Sequence, residues 1–113
     1  MIEIARVIAR YPINHLVVIN TYPLATTFVH GLPAIKPNNG IGGLGGAYLK
    51  PIALAHVVLF REYLPNVPII AVGGVSKAGD VADFLKAGAT AIQVGTAMQN
   101  HGIKILDELS AKF

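Results

Sequence analysis

The chain has 113 residues, enough for one domain of ordinary size, and its 53% hydrophobic content against 13% charged argues against a disordered protein. The net charge of +3 comes from nine Lys and Arg against six Asp and Glu with no run of either sign, so no nucleic-acid partner is expected. The absence of cysteine excludes disulfides, thiolate metal sites and a cysteine nucleophile within these residues.

Residues 2–10 put Ile4, Val7 and Ile8 at helical spacing and stop before Pro12, because a residue preceding proline leaves the α region. Leu16 to Ile19 is a continuous, mostly β-branched run, as expected of a parallel strand covered on both faces, and it ends in Asn20-Thr21. From Tyr22 to Lys50 there is no helical period. Prolines, a Thr pair and the run GIGGLGG predict a long irregular crossover, with a short strand at Phe28-Val29 or Ala34-Ile35. Pro51 then opens a helix that reaches Leu64 and is apolar nearly all round, which suits packing against neighbouring helices or a subunit or half-domain interface.

The stretch from Val67 to Thr96 reads as strand, helix, strand. The first strand ends in Gly73-Gly74 and the second in Gly95-Thr96. Ser76 is expected to cap the intervening helix, Gly88 to close it, and Val81, Phe84 and Leu85 to form its buried face opposite Lys77, Asp80, Asp83 and Lys86. Ala97 to Phe113 is expected to be helical with Ile103, Leu106 and Leu109 facing inward and a break at Gly102, near Asn100-His101. Helices alternating with continuous apolar strands predict α/β architecture with parallel strands and right-handed crossovers. Three strands do not complete such a sheet. An eight-unit barrel takes about 250 residues, so the chain reads as a single segment, the C-terminal portion of an incomplete (β/α)8 TIM barrel.

The run Gly40 to Gly45 matches GxGxxG, but it does not directly follow a strand pattern and no acidic residue ends a second strand about 20 residues on, so a dinucleotide fingerprint is rejected. A ligand-lining loop or a mobile surface loop both fit it. Gly73-Gly74 and Gly95-Thr96 carry a stronger signal: two consecutive strands ending in residues that leave N–H groups uncovered can seat a phosphate, tight packing turns being the alternative. Asn20 and Thr21 offer an amide and a hydroxyl at the same mouth, for a ligand or for a turn. Lys36 and Lys50 read as solvated loop lysines. His15, His30, His56 and His101 share no metal-ligand spacing. No apolar run reaches the ~18 residues of a spanning helix, and Glu3 and Arg6 interrupt the first helix, so neither a membrane partner nor a signal peptide is expected and a cytoplasmic location is. No catalytic group and no metal site are assigned.

Two segments, KPNNGIGGLGGAYLKPIALAHV and IIAVGGVSKAGDVADFLKAGATAIQVGTAM, closely resemble the C-terminal part of dihydroorotate dehydrogenase of the soluble, fumarate-using class 1A. The resemblance covers residues 34–113 well and residues 1–33 more loosely. It implies a barrel with FMN at its C-terminal mouth, contacted by Ile19, Gly46, Gly73, Gly74, Gly95 and Thr96, the last four on the phosphate side. Asn20 and Thr21 match positions that hold the pyrimidine. The implied reaction oxidises dihydroorotate to orotate in pyrimidine biosynthesis, with fumarate reoxidising the flavin. The family's cysteine base, flavin-side lysines and most of its pyrimidine-binding asparagines belong to earlier positions that nothing here matches, and Asn38 stands where a lysine is common. The chain alone is therefore expected to be inactive and to form a homodimer or to join a missing N-terminal half. The rival readings are a non-catalytic half-barrel that binds flavin or another phosphate ligand, and a different FMN oxidoreductase barrel.

Overall fold

The structure is a computed structural model that describes residues 1–111. In chain order its elements are α1 (Ile2–Ile8), β1 (Leu16–Val18), β2 (Tyr22–Ala25), β3 (Phe28–Val29), β4 (Leu32–Pro33), β5 (Gly42–Leu44), α2 (Lys50–Tyr63), β6 (Ile69–Val72), α3 (Ala78–Lys86), β7 (Ala91–Gln93), α4 (Thr96–His101) and α5 (Ile105–Ser110). The continuous apolar runs do form one parallel sheet, in the order β1-β6-β7, with Val18 opposite Ala71 and Ala71 opposite Ile92. Neighbours in chain order are neighbours in the sheet. All three strands therefore finish on one rim.

Side chains alternate across a strand, and the two faces of this sheet have different fates. Val18, Ile69 and Ala71 are buried beneath the helices, whereas Val17 on the opposite face is 44% exposed and Ala91 is exposed beside it. The expectation of strands covered on both faces thus holds for one face only. Against the covered face α2 lays Ala53, Val57 and Phe60, an i, i+4, i+7 stripe, and α3 adds Phe84, which is wholly buried. The far side of α2 is open, with Val58 exposed, so this helix is not buried all round.

Three other expectations shift. In α1, Ala5 is the buried residue and Ile8 lies partly under cover, while Ile4 and Val7 face outward, because the helix packs chiefly on α2. Ile103 falls in the turn after Gly102 and is exposed; α5 begins two residues later and buries Ile105 and Leu109. The remainder of the predicted helix, residues 112–113, lies outside the described residues. The crossover between β1 and α2 has more order than its composition suggests. β2 pairs antiparallel with β5, and Phe28-Val29 pairs with Leu32-Pro33 as a hairpin, whereas Ala34-Ile35 is not a strand.

Candidate functional site

A cleft of about 660 Å³ opens at the rim where β1, β6 and β7 end. Its size lies within the range of about 300–1,000 Å³ usual for small-molecule sites. From β1 come Ile19, Asn20 and Thr21; from β6, Gly73 and Gly74; from β7, Gly95 and Thr96; and Gly46 enters from the turn before α2. All eight residues singled out in the sequence border the same space. Ser76, Gln93, Asn100 and His101 border it too and were not singled out. Gln93 had a signal, a polar residue within an otherwise apolar strand; Asn100 and His101 had none beyond marking a helix break.

The glycine-rich segment passes closely over two threonines. It runs as β5, an antiparallel strand, and not as the strand-to-helix turn of a dinucleotide site. A Cβ at Gly43 would collide with Thr21 Oγ1, and one at Gly45 would stand 3.3 Å from Thr96 Oγ1. Gly74 has φ +77, and a Cβ there would meet the backbone N of Lys50, so both conformation and space require glycine. Gly95 differs. Its φ is −112 and an added Cβ would meet nothing within 4 Å, which leaves the room beside it to the cleft.

Backbone donors border this room. Among the described residues the N–H groups of Gly74 and Gly95 donate to no protein acceptor, while Asn20 Oδ1 accepts the Thr21 N–H at 2.7 Å. Asn20 thus makes the turn contact that the sequence left open as an alternative, with its amide nitrogen still available. The donors and the open space beside Gly95 fit a phosphate monoester better than an apolar ligand.

Behind the cleft stands an ion cluster. Asp80, expected on the solvent face of α3, is 2% exposed and is the one buried charged residue among those described. Its Oδ1 accepts a hydrogen bond from Lys50 Nζ at 2.6 Å, and Lys50 also reaches Asp83 Oδ2 at 2.6 Å. Its Oδ2 accepts from the Ser76 N–H at 2.9 Å, the Ser76 hydroxyl at 3.0 Å and the Lys77 N–H at 3.1 Å. Lys77, not the expected Ser76, is therefore the residue at the N-cap, and Asp80 supplies the carboxylate half of a capping box. Burial pushes the Asp80 carboxyl up, but the bonds from Lys50, Ser76 and Lys77 outweigh it and hold the group below its ordinary value. The same contacts with Asp80 and Asp83 raise the Lys50 ammonium, which is no solvated loop lysine. Lys36 is exposed and lies away from the cleft, His15 and His30 are exposed, and His56 Nδ1 lies 2.8 Å from the Ile52 carbonyl oxygen.

Together these features define a parallel α/β segment with a ligand-sized, donor-lined cleft at the carboxyl ends of its strands, where such sheets bind small molecules. A family model described as dihydroorotate dehydrogenase matches residues 1–113. The "Putative dihydroorotate dehydrogenase A (fumarate)" of Streptococcus agalactiae serotype Ia is 35% identical over 109 residues, 96% of this chain and 35% of that protein. The dihydroorotate dehydrogenases (fumarate) of Saccharomyces cerevisiae and Lachancea kluyveri are 42% and 46% identical over 76 residues, 66% of this chain and 24% of each of theirs. The chain belongs to the dihydroorotate dehydrogenase family, and it spans about a third or less of the length of these relatives.

Proposed function

We propose that the chain is the C-terminal, flavin-holding part of an FMN-dependent dihydroorotate dehydrogenase barrel. The observation that carries this is the convergence of the three strand ends and the Gly45-Gly46 turn on one cleft, where the Gly74 and Gly95 N–H groups donate to no acceptor among the described residues. Strand order supports the barrel. Parallel strands adjacent in sequence order, joined by right-handed crossovers, put every helix on one face, and the bare face with Val17, Ile70 and Ala91 is what closure would turn inward.

In this reading Gly73, Gly74, Gly95 and Thr96 hold the FMN phosphate through backbone N–H groups and the Thr96 hydroxyl. Ile19 and Gly46 border the rest of the flavin. When bound, FMN would supply the hydride acceptor for dihydroorotate, and fumarate, named for the relatives, would be the final oxidant. Asn20 and Thr21 would orient the pyrimidine, the amide matching its donors and acceptors. The proton-removing base would come from another part of the barrel, since the 113 residues contain no cysteine.

The test is a titration of the chain with FMN and riboflavin followed by flavin fluorescence, then an assay of dihydroorotate oxidation. The expected result is FMN binding without turnover, with activity appearing when the N-terminal remainder of a relative's barrel is co-expressed. Absence of FMN binding, by the chain and by the assembled pair, would refute the reading. FMN binding by a self-associated chain that gains no activity on assembly would favour the non-catalytic half-barrel.

A further inference from the structure

We infer that Asp80, balanced by Lys50, is the positioning residue of the anion seat: it fixes the Gly73–Ser76 loop so that the Gly73 and Gly74 N–H groups are left to the cleft, and it touches no ligand itself. The inference rests on the reading of the cleft as a phosphate site. Neither Asp80 nor Lys50 borders the cleft, whereas Gly73, Gly74 and Ser76, which their contacts restrain, do.

The restraint acts from two sides. Asp80 Oδ2 accepts three hydrogen bonds from the far end of the loop, at Ser76 and Lys77. At the near end Gly74 lies against the backbone of Lys50, the first residue of α2. The ammonium of that same lysine holds Asp80 Oδ1, so one residue packs beside the loop and anchors the carboxylate that ties it down. Both carboxylate oxygens are engaged, and the group is buried, where unpaired charge is costly. An amide cannot replace it. In Asp80→Asn one end of the side chain must turn an N–H toward donors, either the Lys50 ammonium or the Ser76 and Lys77 groups.

The experiment measures FMN and riboflavin dissociation constants, and amide exchange at Ser76 and Lys77, for the full 113-residue chain and its variants, with far-UV circular dichroism to check folding. Riboflavin lacks the phosphate and reports on the remainder of the cleft. Asp80→Asn is expected to weaken FMN by about tenfold or more while changing riboflavin by less than about twofold, and to speed exchange at both amides. Lys50→Met should show the same pattern more weakly, because the loop bonds to Asp80 persist, and Lys50→Arg should restore most of the preference. Should Asp80→Asn fail to fold, this lysine pair decides. Asp83→Asn, which removes an exposed carboxylate with no bond to the loop, should leave the FMN-to-riboflavin ratio within about twofold.

If the unsubstituted chain prefers FMN and Asp80→Asn and Lys50→Met retain that preference, the inference is overturned and the phosphate reading stands. If the unsubstituted chain shows no preference, the phosphate reading fails. The positioning of an anion seat falls with it, and exchange then separates the loop restraint from the seat: unchanged rates in both variants overturn the restraint too, and faster rates in Asp80→Asn leave a restrained loop without a seat.

Discussion

Replacing Arg61 with Met should lower the stability of the chain by about 3 kcal/mol, a loss set by backbone carbonyls rather than by a salt bridge. Arg61 Nε and Nη2 both donate to the Gly88 carbonyl, at 3.1 and 2.8 Å, and Nη1 lies 2.9–3.1 Å from the carbonyls of Leu64, Pro65 and Val67. These carbonyls lie just past the C-terminal ends of α2 and α3, so one guanidinium ties the two helix ends together. Hydrogen bonds to a charged group contribute about 1.5–3 kcal/mol each. The total falls well below their sum, because Nη1 shares two hydrogens among three acceptors and the exposed Pro65 end regains water when the side chain is lost. With a urea dependence of about 1–2 kcal/mol per molar, the midpoint should fall by about 2 M. The assay is urea unfolding followed by circular dichroism and tyrosine fluorescence, since the chain has no tryptophan. Arg61→Lys keeps the charge without the planar fork and should cost about half as much. Gly88→Ala should act on the same tie. Gly88 has φ +106, and a Cβ there would stand 2.9 Å from Arg61 Cγ, displacing the guanidinium. The double variant should therefore be less destabilised than the two single losses added, by at least about 0.5 kcal/mol. A midpoint for Arg61→Met equivalent to within about 0.5 kcal/mol of the parent, at unchanged slope, would refute this account.

Phe84→Ala empties the centre of the covered face and should cost about 3–5 kcal/mol, read by the same urea titration. Gly95→Ala and Gly74→Ala should separate binding from folding. The first places a methyl in the open cleft and should weaken FMN binding with stability unchanged to within about 0.5 kcal/mol, whereas the second forces a side chain at φ +77 into the α2 backbone and should cost more than about 2 kcal/mol. The ion cluster should give stability an acid and an alkaline limit. Asp80 titrates lower in the folded chain than when unfolded, so its contribution is present above the ordinary carboxylate range and is lost as pH falls through and below about 4. Lys50 titrates higher when folded, so its contribution is complete below about pH 10 and is lost as pH rises further. Urea midpoints of the parent and of Asp80→Asn should accordingly converge as the pH drops below 4; a constant difference down to pH 2 would count against the paired carboxylate.

What could be read from the sequence was whatever repeats along it. Leu16–Val18, Ile69–Val72 and Ala91–Gln93 announce themselves as strands because apolar runs are local, and the glycine pairs that end them locate the rim. The crossover was opaque for the opposite reason. β2 carries a proline and β5 two glycines, residues that read as loop, and the two owe their pairing to register, as between Tyr22 and Leu44, 22 positions apart. Asp80 was misjudged by helical period, which places a side chain on a face without knowing what lies opposite. Lys50, 30 residues before it, draws the carboxylate inward, as the Gly88 carbonyl, 27 residues after Arg61, draws in that guanidinium. One-sided covering of the sheet was also invisible, since Val17 and Val18 are the same residue type and differ only in what packs above them.

The separation of the sheet's rim from its covered face has a consequence for how such a chain can change. Asn20, Thr21, Gly95 and Thr96 are exposed at strand ends, whereas Val18, Ile69, Ala71 and Phe84 carry the packing, and no residue belongs to both sets. Substitutions that retune ligand preference at those four positions therefore leave the packed interior alone. Gly73, packed against Ala53, and Gly74, wedged against Lys50, are exceptions, points at which drift in specificity would run directly into the fold. A library that randomises Asn20, Thr21 and Thr96 and leaves Gly74 fixed should keep most of its members folded.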